Sequence, residues 1–73
     1  MSWNIRIIKN TNLEIPYYFI AEVFYKNDGS LNAYTKEPGI TLEDDTYTGL
    51  KEYYKLISEA FEKEIIDIKE FDE

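Results

Sequence analysis

The chain contains no cysteine and no histidine. Without cysteine no disulfide can form, and without either residue the usual Cys/His zinc sites are excluded. The common nucleophile–base pairs of covalent catalysis rest on the same two residue types and are closed for the same reason. Glycine is scarce: the three residues each stand alone, so no glycine-rich phosphate loop exists. Positive charge is scarce as well, with 8 Lys and Arg against 15 Asp and Glu, a formal charge of −7. That balance argues against a nucleic-acid groove, whose affinity comes from neutralising phosphates. It suits a basic protein partner, attracted by charge complementarity, or simple solubility. Long apolar runs are missing too. The longest before the helix, Ile15 to Phe24, is interrupted by Glu22 and is too short to span a bilayer. With no targeting signal visible, the expected location is cytoplasmic, and no cofactor is expected.

What the chain does have is aromatic rings and one strongly periodic segment. Seven Tyr, four Phe and one Trp in 73 residues supply large apolar surfaces to a domain too short for an extensive core. Between Thr46 and Ile65, apolar residues recur at Leu50, Tyr53/Tyr54, Ile57, Ala60/Phe61 and Ile65, the spacing of one stripe along an α-helix. Lys51, Glu52, Lys55, Glu59, Glu62 and Lys63 lie mainly on the other side. Asp45 or Thr46 is placed to cap the helix, with Glu43 to Asp45 at the positive end of its dipole. Gly49 weakens the first turns unless it permits a close approach. The helix is expected to end near Lys63, followed by a short extended segment over Ile65 to Lys69.

Ahead of the helix the pattern is that of strands. Trp3 to Lys9 alternates, with Trp3, Ile5 and Ile7 on one side, although Ile8 breaks the polar side. Asn10 to Asn12 is turn material, and Pro16 belongs outside the next strand or at its start. Tyr17 to Lys26 is the strongest strand, apolar or aromatic on both faces. Asn27 to Ser30 reads as a hairpin turn; it lacks the alternating oxygen ligands and the closing Glu of a calcium loop. Leu31 to Thr35 returns as a strand, Pro38-Gly39 fits a type II turn, and Ile40 to Leu42 allows a very short fourth strand.

The expected architecture is a single α+β domain over residues 1–73: a two-layer, mostly antiparallel sheet of three or four strands with one helix on one face, β-β-β-(β)-α, and a possible short C-terminal strand. The helix stripe, Trp3 or its partners Ile5 and Ile7, one face of Tyr17 to Tyr25, Leu31 and Ala33 are expected to form the core, with Tyr54, Phe61 and Ile65 inside. Residues 70–73 are expected to be a frayed acidic tail. One sheet face should remain open, which points to partner binding or self-association. The expected partner-binding residues are Tyr18, Ile20, Glu22, Phe24 and Tyr34 on the sheet, Glu59 and Glu62 on the helix, and Phe71 in the tail. No catalytic, cofactor or metal residue is expected, since carboxylate pairs such as Asp44/Asp45 or Glu59/Glu62 are ordinary features of an acidic solvent face. The expected function is non-catalytic: a module that sequesters or inhibits a basic partner protein, of the kind phages and mobile elements use. A structural homodimer and an acidic nucleic-acid mimic are alternatives, while direct nucleic-acid binding and membrane insertion are not expected.

From Tyr17 onward, the order Tyr17–Lys26, Asp28-Gly29, Leu31–Thr35, Pro38-Gly39, Ile40–Leu42, Asp45-Thr46, Leu50–Phe61 and Ile65–Lys69 resembles the partial RNase H-like domain of HicB-type antitoxins. The resemblance covers about residues 17 to 69 and implies a protein that neutralises a small basic toxin attacking RNA. It leaves Trp3 to Lys9 as an additional strand and leaves no room for the separate DNA-binding domain that many members carry. The chain also looks like small uncharacterised single-domain proteins with a Tyr-rich hairpin and one helix.

Overall fold

In the computed structural model the protein is described over residues 2–35 and 43–71. The expected Pro38-Gly39 turn and Ile40–Leu42 strand lie outside these residues. The elements are β1 (Ser2–Asn10), β2 (Tyr17–Tyr25), β3 (Leu31–Tyr34), α1 (Tyr47–Ala60), β4 (Ile66–Asp67) and a 3-10 helix, Ile68–Phe71. The sheet order is β3-β2-β1-β4. β1–β2 and β2–β3 are antiparallel, and β4 runs parallel to β1. The result is a mixed, mostly antiparallel four-stranded sheet with one helix on one face, as the periodicities predict.

The β2–β3 hairpin follows from its turn chemistry. Gly29 adopts φ +89°, open to glycine and strained for other residues. Its N–H bonds the Lys26 carbonyl at 2.9 Å, and Lys26 N–H bonds the Ser30 carbonyl at 2.8 Å. Asp28 Oδ1 accepts from the Ser30 amide and hydroxyl, which together hold its carboxyl below the usual aspartate range.

Cross-strand register decides which side chains share a face. Trp3 opposes Phe24, Ile5 opposes Glu22, and Ile7 opposes Ile20. This row therefore lies on the side of Ile5 and Ile7, where α1 packs. Ile57 and Ala60 are buried against Ile5 and Ile7, with Ile20 and Tyr53 half-buried beside them. The assignment of Tyr18, Ile20, Glu22 and Phe24 to an uncovered face is thus corrected: they share the helix side of the sheet. The helix, which is packed over β1, covers only the middle of this side. Trp3 remains 49% exposed, Ala33 is exposed opposite Phe24, and Tyr18 is exposed at the far end, so Trp3 and Ala33 are not core residues.

The helix register is also corrected. Of the alternatives Tyr53/Tyr54 and Ala60/Phe61, the inward members are Tyr53 and Ala60. Tyr54, Phe61 and Ile65 are exposed. Ala60 lets the backbone come close to the sheet where a phenylalanine ring would hold it away. The helix ends at Ala60, and its last turn tightens through i→i+3 bonds, Phe61 N–H to Ser58 O at 3.2 Å and Glu62 N–H to Glu59 O at 3.0 Å. At the other end Thr46 is the N-cap, its Oγ1 accepting from Gly49 N–H at 2.9 Å. Asp44 Oδ2 in turn accepts from Thr46 N–H at 3.0 Å and Thr46 Oγ1 at 3.2 Å. A Cβ at Gly49 would fall on the Asp44 carboxylate, with Cγ only 2.6 Å away. The glycine gives room to this cap rather than to a close approach of the sheet.

The second sheet face is covered too. Ile8, Ala21, Val23, Ile66 and Ile68 form a buried cluster, with Phe19, Tyr25, Leu31, Tyr34 and Phe71 packed around it. This explains why Ile8 breaks the polar alternation of β1 and why β2 is apolar on both sides. The expectation of a bare face is corrected: the chain after the helix folds back across it. Phe71 stacks edge-on to Tyr34, centroids 4.8 Å apart, and Tyr34 lies 5.9 Å from Phe19. Glu70 and Phe71, assigned from the sequence to the tail, belong to the 3-10 helix.

The start of that 3-10 helix is a reciprocal cap. Asp67 Oδ1 accepts from Lys69 N–H at 3.0 Å and from Thr11 Oγ1 at 2.7 Å, while Glu70 Oε2 accepts from Asp67 N–H at 3.0 Å. The Lys69 amide first, then the Thr11 hydroxyl, hold the Asp67 carboxyl below its ordinary range; Lys69 and Lys9 add to this, and partial desolvation opposes it. A carboxylate whose folded pKa is depressed stabilises the fold above its unfolded pKa, near about 4, and loses that contribution as pH falls through the folded pKa. Urea midpoints measured across this acidic range should therefore fall on acidification, and the fall should be shallower in Asp67→Asn. Parallel curves for the two proteins would show that the cap carries no proton linkage.

Candidate binding surfaces

The residues singled out in the sequence fall into separate groups. Tyr34 and Phe71 meet on the second face, where they hold the C-terminal segment down. Glu22 is half-buried at the helix side of β2 and helps to raise the Tyr53 hydroxyl pKa, the larger cause being burial of Tyr53. Phe24 is half-buried. Glu62 is exposed and Glu59 half-exposed on α1. Tyr18 and Ile20 are brought together with residues the sequence did not mark as binding residues, Ile7, Phe61, Lys63 and Ile65, around a cleft of about 380 Å³.

This cleft exists because α1 stops at Ala60, short of the end of β1 and β2. Ile7 and Ile20, a cross-strand pair, form part of its walls, together with Phe61 and Ile65 from the chain leaving the helix. Lys63 belongs to its lining, and no carboxylate does. Lys9 lies opposite Tyr18 in the ladder, its Nζ 5.9 Å from the ring centroid, in range of a cation–π contact. Two ammonium groups thus adjoin an apolar hollow in a strongly acidic chain.

The second exposed feature runs along the helix. Tyr47, Tyr54 and Phe61 are spaced by seven residues, nearly two full turns, so they form a row along one flank of α1. They are 76%, 63% and 66% exposed. Lys51 Nζ lies 5.5 Å from the Tyr47 ring centroid. Along α1 itself Lys51 and Lys55 balance Glu52 and Glu59, and the acid excess lies at its two ends, in Glu43, Asp44 and Asp45 before it and Glu62 after it. The seven-residue spacing is visible in the sequence, but the same residues also satisfy a core stripe. Only the packing of Ala60 against the sheet separates the two.

No family model, curated protein or solved structure matches this chain. Among the described residues no group of three Asp or Glu gathers where a metal ion could be held, and no helix is long and apolar enough to cross a membrane.

Proposed function

We propose that the protein is a non-catalytic binding module that engages a basic partner protein through the outer flank of α1, sequestering or inhibiting it. The observation that carries this reading is the row of exposed rings at Tyr47, Tyr54 and Phe61. Three large rings left in water in a row along one helix flank have the composition of an interface centre rather than of a solvated flank. The net charge of −7, with acids gathered at the two ends of α1, favours a partner of opposite charge and speeds its approach. Rings buried at the centre would make the complex less sensitive to salt than a purely ionic contact, which distinguishes this role from nucleic-acid mimicry.

The test is native mass spectrometry of the tagged protein recovered from its own host, alongside Tyr54→Ser. The expected result is a heteromeric species containing a basic protein, lost or strongly reduced in the variant. A species unaffected by Tyr54→Ser would place the interface elsewhere, and a homodimer alone would favour the structural reading.

A second reading, neutralisation of a small basic RNase toxin in the manner of HicB-type antitoxins, is supported by the order of elements. Strand, Gly turn, strand, capped helix and short strand follow one another from Tyr17 to Asp67, while residues 38–42 of the resemblance lie outside the described residues. The additional N-terminal strand lies between β2 and β4 in the sheet. A gene for a small basic protein directly beside this one, whose toxicity this chain relieves on co-expression, is the outcome that favours this reading.

A further inference from the structure

We propose that the cleft beneath the end of α1 is a binding site for a small amphiphilic carboxylate, a molecule of the medium-chain fatty-acid class. This goes beyond the protein-binding role and, Phe61 apart, rests on different residues.

Three observations converge on that chemistry. The walls are apolar: Ile7, Ile20 and Ile65 contribute aliphatic surface and Tyr18 and Phe61 contribute rings. The volume, about 380 Å³, is at the lower end of the range typical of small-molecule sites, about 300–1,000 Å³. The charge at the cleft is inverted relative to the rest of the molecule. The chain carries −7, yet the charged side chain lining the hollow is Lys63, and Lys9, which also neighbours Asp67 across the β1–β4 pairing, lies over the ring of Tyr18 beside it. The strand that supplies Ile7 and Lys9 belongs to the longest stretch of the chain without a carboxylate, since the first acid is Glu14.

An uncharged apolar ligand would gain nothing from the two lysines, and a cationic one would be repelled by them. A carboxylate on an apolar body uses both features. Its chain replaces water against the isoleucines and rings, while its head remains at the rim within reach of ammonium groups that stay hydrated on flexible stems. The ligand is small because the hollow is small: β1 and β2 form its floor, and the chain leaving α1, at Phe61, Lys63 and Ile65, closes one side.

The experiment compares three probes with the same body, decanoate, decanol and decyltrimethylammonium, each below its micellar range. Binding is followed by isoleucine methyl resonances. The expected order of affinity is decanoate, then decanol, then the ammonium compound, with the largest shifts at Ile7, Ile20 and Ile65. Lys9→Gln and Lys63→Gln should each weaken decanoate by about two- to fivefold, the range of a partly exposed charge pair, and leave decanol unchanged. Tyr54→Ser should leave all three affinities unchanged, so failure of the partner-binding reading would not be mistaken for failure of this one. The proposal is overturned if the methyls do not respond to decanoate, if the ammonium compound binds as tightly, or if neither lysine matters in variants whose urea midpoints match the parent protein.

Discussion

Replacing Ile57 with Asp should abolish cooperative unfolding, whereas replacing Tyr54 with Asp on the same helix should change the urea midpoint only slightly. Ile57 is 8% exposed and packs with Ile5, Ile7 and Ala60. Loss of such a side chain costs about 2–5 kcal/mol, and a carboxylate left unpaired in its place adds to that cost. A domain of this size holds only about 4–11 kcal/mol in total. Tyr54 already lies in water, so a charge there falls among the surface substitutions that move stability by about 0.5 kcal/mol or less. Circular dichroism through a urea titration reads both. If Ile57→Asp retained a sigmoidal transition near the parent midpoint, the inward face of α1 would be assigned wrongly. A collapse of Tyr54→Asp would convict the same register from the other side.

Ending the chain at Asp67 should have the second-largest effect, a loss of about 3–5 kcal/mol. Ile68 is buried and Phe71 half-buried against the second sheet face. Full burial of one such side chain is worth about 1.5–3 kcal/mol, and the truncation also removes Glu70, which caps Asp67 N–H. The truncated protein should unfold at lower urea and, because Phe19 and Tyr34 lose their cover, should bind an apolar dye that the parent protein ignores. An unchanged midpoint with no dye binding would mean that the C-terminal turn rests on the sheet without stabilising it.

The sheet, the hairpin and the capped helix are legible in the sequence because each depends on local signals: period-two alternation in Trp3 to Lys9, a Gly suited to positive φ at position 29, and Thr46 before an amphipathic run. Where the structure departs from the sequence pattern, the outcome depends on long-range choices among equivalent local options. Tyr53 and Tyr54, or Ala60 and Phe61, serve a helical stripe equally well. The sheet selects Tyr53 and Ala60 because a small residue at position 60 permits close packing. Ile8 and the doubly apolar β2 fit a second covered face, which the sequence reading leaves open. Its cover comes from Ile66 and Ile68, in the segment expected to be extended, and from Phe71, in the segment that reads as an acidic tail. The cleft was half legible. Tyr18 and Ile20 could be picked out as exposed or adaptable sheet residues, but Phe61, Lys63 and Ile65 reach them only because the helix ends at Ala60.

The parallel pairing of β4 with β1 has a kinetic consequence. Arg6 donates to the Glu64 carbonyl at 2.7 Å across a separation of 58 residues, and Ile8 pairs with Ile66 at the same offset. The β1–β2 hairpin and α1 can form from neighbours, but this closure requires a loop containing nearly every other element of the fold. Its entropic cost falls before its contacts provide any return, so the β1–β4 pairing should be a late event on the folding route. Until it forms, Ile8, Ala21 and Val23 remain in water. The interval between hairpin formation and closure is therefore when the chain is most exposed to self-association or proteolysis.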